Sequence, residues 1–145
     1  MVEFGIIANP TKSGICSQIR VKIIELYGMT PELNKTLHNF FSSGNAKSNV
    51  IFCACDNEKL VASAGAKRYK NRIALLWIFV EKEYQRQGIG TTLIKKIRGY
   101  YRNPFLYLLL YNYKRLEGTS PFASKQHLIV IPYDRFHNPK PKKFL

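Results

Sequence analysis

The chain has 145 residues, 46% of them hydrophobic, a length and composition suited to one globular domain with a real core. No apolar run reaches the roughly 18 residues of a membrane-spanning helix, which argues against a chain built around such helices. With 23 Lys and Arg against 9 Asp and Glu, the net charge of +14 favours phosphate-rich cofactors, nucleic acid, ribosomes or acidic surfaces as partners and disfavours polycations.

Val2 to Ala8 (VEFGIIA) reads as a first strand, followed by a turn in NPTKSG. Ile15, Ile19, Ile23 and Leu26 recur at helical spacing, so a helix runs to Tyr27 and stops at Gly28. A second helix starts with Thr30 as N-cap, Pro31 in the first helical position and Glu32 in the first turn. After the loop SSGNAKSN come two strands, VIFCAC and LVASAGAKRY, joined by the polar turn DNEK. Lys70-Asn71 turns the chain into RIALLWIFV, a strand apolar on both faces as a central strand should be. Ile89, Leu93, Ile97 and Tyr101 then mark an amphipathic helix that ends at Asn103-Pro104. Phe105 to Tyr111 is another buried strand, residues 112 to 126 are polar and unpatterned, and His127 to Tyr133 is a last strand. The expected domain covers residues 1–137, with a basic, flexible tail over 138–145. The order β-α-α-β-β-β-α-β-β predicts an α/β fold with a mixed, mostly antiparallel central sheet flanked by helices.

The N-terminus lacks the pattern of a signal peptide. Cys16, Cys53 and Cys55 are odd in number and lack metal-site spacing. They read as reduced, mostly buried thiols, and a cytoplasmic location is expected.

The most informative stretch is EYQRQGIGTTLIKK, residues 83–96. Its glycines stand between a central strand and the start of a helix. The first N–H groups of a helix have no partner within it and carry the positive end of its dipole. Gly88 and Gly90 leave that end bare, and Thr91 adds a hydroxyl, so Gln85, Arg86, Gln87, Gly88, Ile89, Gly90 and Thr91 form a candidate anion site suited to a diphosphate. A Walker loop would end in Gly-Lys-Ser/Thr, which is absent. A dinucleotide fingerprint would need a small residue where Leu93 stands and a parallel strand-helix-strand unit ahead of it.

Gln85, Gly88 and Gly90, preceded by FVEKEY and followed by Leu93 and Ile94, resemble the coenzyme A loop of the GNAT superfamily, the Gcn5-related N-acetyltransferases. The resemblance is good over residues 50–111, fair for the first helices and poor after 112. It implies acetyl-CoA or another acyl-CoA bound where two strands splay apart, with no metal. The loop amides would hold the diphosphate, and the edges of Trp77, Ile78, Phe79 and Val80 would pair with the pantetheine arm. An N–H near Phe79 or Val80 would polarise the thioester carbonyl. The reaction implied is direct acyl transfer to an amine, helped by the positioning of two substrates.

Acid and base are less legible. Many family members carry a Glu on the central strand, and this strand has none; Glu81 and Glu83 follow it, as solvated loop carboxylates or as a base acting through water, Glu81 being the candidate. The family's pattern Asn-x-x-Ala-x-x-x-Tyr finds Asn112, a candidate cofactor contact, but Arg115 and Thr119 break it. Tyr111 and Tyr113 are the nearby substitutes for the acid, and His127 is a further proton acceptor or a hydrogen-bonded strand-end residue.

The acceptor amine is open, as is the choice between monomer and homodimer. Residues 85–145 carry 12 bases and 2 acids, with Tyr100, Tyr101, Tyr113, Phe122, Tyr133 and Phe136 among them. That pattern suits a nucleic acid or nucleoprotein partner, or else a solvated surface over an aromatic core. Acylation of a base amine in DNA or tRNA, and a nonenzymatic module that binds CoA or nucleic acid, are the alternatives to an acyltransferase acting on a protein or small amine.

Overall fold

A computed structural model describes residues 1–7, 14–42, 49–111 and 116–137. Its strands are β1 (Val2–Ile7), β2 (Asn49–Asp56), β3 (Lys59–Tyr69), β4 (Arg72–Val80), β5 (Leu106–Leu110) and β6 (Ile129–Pro132). They form one mixed sheet in chain order, antiparallel from β1 to β4 and parallel from β4 to β6. Two tight turns make β2 to β4 a meander, while β1 is separated from β2 in sequence by the first two helices. In the turns Asn57, Glu58 and Lys70 adopt the left-handed backbone favoured in short hairpins.

The helices are α1 (Ile15–Tyr27), α2 (Pro31–Ser42), α3 (Ile89–Tyr101), α4 (Leu116–Lys125) and the single turn α5 (Tyr133–His137). Thr30 caps α2 as its sequence predicts, accepting a hydrogen bond from the Leu33 N–H at 3.1 Å. Alternation along each strand sends side chains to two cores. Val50, Phe52 and Ala54 pack with the Ile89, Leu93, Ile97 and Tyr101 stripe of α3 on one face. Ile51 and Cys53 pack with Ile19 and Ile23 of α1 and Leu33, Leu37 and Phe40 of α2 on the other.

Two expectations change. The segment read as irregular over 112–126 is helical from Leu116 to Lys125, with Pro121 inside it. Gly118 to Pro121 erase any helical period from the sequence, and the helix is held instead by packing of Phe122 and Ala123 onto the α3 core. The last strand is also shorter than His127 to Tyr133. The Leu128 N–H reaches the Ala123 carbonyl and the His127 N–H reaches that of Ser124, while His127 has φ 58°. This double closure is a Schellman motif, so His127 ends α4 rather than opening β6. The tail over 138–145 lies outside the described residues.

Candidate active site

The site begins with a local irregularity in β4. Ala66 pairs with Leu75 and Gly65 with Trp77, so Leu76 is an extra residue, a β-bulge. Leu76 and Trp77 therefore both point into the α1–α2 core, and the facing of the strand is reset. Pairing of β4 with β5 stops at the same place: it spans Ile73–Leu106 to Leu75–Leu108, and β4 runs on to Val80 without it. The strands thus splay beyond the bulge.

Backbone groups in a strand alternate between its two edges. The Ile78 N–H and C=O both meet the Tyr27 hydroxyl, and the Val80 carbonyl accepts from Gln85 Nε2 at 3.0 Å, so these two residues face the opening. Phe79, opposite Ser63, and Trp77, opposite Gly65, turn their backbone groups toward β3. The Trp77 ring is fully buried, its indole N–H bonded to Ser63 Oγ at 3.1 Å. The edge facing the opening is therefore that of Ile78 and Val80, where the Ile78 N–H is taken up by the Tyr27 hydroxyl.

At the end of β4 a 3-10 turn, Lys82–Tyr84, leads into the glycine loop. Arg86 and Gly88 take positive φ (64° and 80°), which lets the loop double back into α3. Thr92 N–H makes the first helical bond, 2.9 Å to the Gly88 carbonyl. The N–H groups of Ile89, Gly90 and Thr91 precede that bond and have no acceptor within the helix. The side chains of Gln85, a lining residue, and Gln87 brace the loop: Gln85 bonds to Val80, and Gln87 Nε2 bonds to the Glu83 carbonyl at 3.3 Å.

Loop and opening belong to one cavity of about 680 Å³. Its other walls come from Leu26 and Tyr27 at the end of α1, Tyr84, and Phe122, Lys125 and Gln126 of α4 and its cap. Arg86 and Lys125 stand in the lining, and among the described residues no carboxylate lines it. α4 is fastened to the helix N-terminus by Gln126 Nε2, which donates to Thr91 Oγ1 at 2.9 Å. Arg98 Nη2 in turn donates to the Gln126 carbonyl at 2.6 Å. A diphosphate fits this donor set in charge and in hydrogen-bond sense.

The expected acid–base residues do not converge on the cavity. Glu81 is not among its lining residues and forms an ion pair with Lys22 of α1 at 2.6 Å. The hydrogen bond that Lys22 donates to Glu81 holds its amine above the ordinary pKa. Glu83 pairs more loosely with Lys59, 3.8 Å away. Tyr111 lies behind the cavity wall, edge-on to Tyr27 with ring centroids 6.4 Å apart. Its hydroxyl is buried with no hydrogen-bond partner. Burial raises its pKa well above the usual phenol value, and Thr36 nearby opposes the shift only in part. His127 is exposed in the cap of α4, away from the cavity lining. Asn112 and Tyr113 lie outside the described residues. Tyr27, Tyr84, Lys125 and Gln126 escaped the sequence reading. Only the i, i+4 series continuing from Ile15, Ile19 and Ile23 to Tyr27 signalled any of them, and it reads as core.

Comparisons with known proteins converge on one family. The model of the acetyltransferase (GNAT) family matches residues 21–114. No curated protein sequence matches the chain. Among solved structures, a GNAT-family acetyltransferase from Staphylococcus aureus is 19% identical with a TM-score of 0.66, over 85% of this chain and 81% of that one. An aminoglycoside acetyltransferase from a soil metagenomic sample, in complex with sisomicin, is 15% identical with a TM-score of 0.60, over 99% and 92%. The ribosomal-protein-S18-alanine N-acetyltransferase of Escherichia coli is 19% identical with a TM-score of 0.55, over 84% and 76%. At these identities the neighbours bear on the fold alone, whereas the family model spans both the splayed strand and the glycine loop; the chain belongs to the GNAT family of acetyltransferases.

Proposed function

We propose that this protein transfers an acyl group, acetyl in the simplest case, directly from acyl-CoA to an amine. The observation that carries the reading is the order of features along one cavity. A bare helix N-terminus stands in the same lining as Arg86 and Lys125, and the strand edge runs from Val80, bonded to Gln85 of the loop, on to Ile78 beside apolar Leu26 and Phe79. Acyl-CoA presents a diphosphate, an amide-rich arm and a thioester in that order. In the reaction the amine nitrogen bonds to the carbonyl carbon, the C–S bond breaks, nitrogen loses a proton and sulfur gains one. The Ile78 N–H is the backbone donor placed to stabilise the developing oxyanion. Glu81, the carboxylate just past β4, would act as base only through a water reaching it from the cavity, since it stands outside the lining in an ion pair with Lys22. The leaving thiolate takes its proton from solvent, since the Tyr111 hydroxyl is sealed off from the cavity.

The lining argues about the acceptor too. A polycation such as an aminoglycoside calls for carboxylates, and the lining residues among those described include none. A singly charged amine, on a small molecule or a protein, suits it better. A second reading, a nucleic acid acceptor, draws support from the outer side of α3. At its margin exposed Arg68 lies over the ring of buried Tyr101 at 5.4 Å, Lys96 lies over Phe4 of β1 at 5.5 Å, and Tyr100 is exposed.

Calorimetry with acetyl-CoA at modest ionic strength tests the first reading. The wild-type protein takes up one equivalent, Gly88→Val takes up far less, and CoA is released when a productive amine is added. No uptake by folded wild-type protein overturns the assignment. For the second reading, a flat dependence of DNA or RNA affinity on salt rules out a phosphate-binding surface.

A further inference from the structure

We infer that the Tyr27 hydroxyl is an internal stand-in for the acyl donor, occupying the strand edge that the donor's arm must take and leaving it when the donor binds. The inference rests on the acyl-CoA reading above and deepens it by naming the residue that competes for the edge. The geometry is specific. Tyr27 Oη donates to the Ile78 carbonyl at 2.9 Å and accepts from the Ile78 N–H at 3.0 Å. One oxygen thus satisfies both backbone groups of the residue just past the bulge, where β5 has already left β4. A neighbouring strand, or the amide and thioester carbonyls of a pantetheine arm, would satisfy the same two groups.

The surroundings allow the exchange. Tyr27 is the last residue of α1, and Gly28 after it has φ 79° with nothing within 4 Å of where a Cβ would stand. The ring packs edge-on to Tyr111, while its hydroxyl end lines the cavity beside Leu26, Ile78 and Phe79. The Lys22–Glu81 ion pair, one turn and more back along α1, keeps the helix docked while its last residue swings. In the free protein the edge is thereby kept from pairing with another extended chain, and it is released only to a ligand that offers equivalent hydrogen bonds.

Tyr27→Phe keeps the ring and removes the competing oxygen. Its expected effect is tighter binding of CoA and acetyl-CoA, about fivefold to tenfold from the hydrogen bonds no longer broken. Adenosine 3′,5′-bisphosphate, which has no arm, should bind equally to both proteins. A residue with a merely structural role would weaken the binding of all three ligands or leave it unchanged. In the wild-type protein, saturating CoA should shift the ring resonances of Tyr27 while the Ile78 amide stays protected from exchange; this needs no variant. Equal or weaker CoA binding by Tyr27→Phe, or unmoved Tyr27 resonances at saturation, overturns the stand-in and leaves the acyl-CoA reading intact. Absence of CoA uptake by both proteins overturns both.

Discussion

At Gly88 the backbone turns with φ 80° and ψ 7° into α3, and an added Cβ would meet nothing within 4 Å. The requirement there is conformational. Gly88→Ala is expected to cost about 1 kcal/mol, the price of a left-handed L-residue, and Gly88→Asn should recover part of it, as urea unfolding would show. Two residues on, a Cβ at Gly90 would stand 3.0 and 3.2 Å from Phe122 ring carbons. Here the requirement is space. Gly90→Ala should cost about 1 kcal/mol by overpacking, and Phe122→Leu in the same chain should return most of it, a non-additivity that a double-mutant cycle reads directly. The sequence marked both glycines as bare backbone for an anion. It held no sign of the ring that presses on the second, because that ring belongs to a helix without a legible period.

Among the elements, the antiparallel strands and α1 to α3 could be read almost to the residue, since their apolar spacing is regular and their ends carry turn residues and, at Thr30, a cap. α4 could not. Its placement rests on tertiary contacts: Phe122 on Gly90, Gln126 on Thr91, and a left-handed His127 closing its last turn. Gln126→Ala and Thr91→Val should therefore each loosen acyl-CoA binding, by about threefold, and the double variant should be no worse than either single one. The bulge in β4 was equally hidden, because sequence alternation shows no break where two consecutive residues, Leu76 and Trp77, enter the same core. Gly65 is its counterpart. A Cβ there would fall within the Trp77 ring, so Gly65→Ala should destabilise by about 3 kcal/mol and shift the Trp77 emission.

For the whole molecule, charge and titration set the working range. Burial raises the Cys53 thiol to about 11 and also lifts the Tyr101 phenol. Raised values in the folded state mean that this stability is fully present below the unfolded thiol pKa and lost as pH climbs through about 11. A hydrogen bond from Tyr84 lowers the Asp56 carboxyl, so its contribution is present above the unfolded carboxyl value and lost as pH falls through the folded one. Urea midpoints against pH should show a plateau between these limits, and Cys53→Ala should flatten the alkaline fall.

The bulge at Leu76 also divides the sheet by the distance the chain must travel to build it. On one side hairpins join β2 to β3 and β3 to β4, with β1 alone reaching them across α1 and α2, whereas on the other β5 and β6 each wait for a helical crossover to return. Local pairing closes quickly and distant pairing slowly. The candidate cleft lies on this seam, so it is expected to be the last region to assemble and the first to breathe. Amide exchange should find β5, β6 and α4 opening at lower free energy than β2 and β3. A bound donor, spanning the seam, would then raise the protection of the slower half most, acting as the missing rung between two separately folding parts of one sheet.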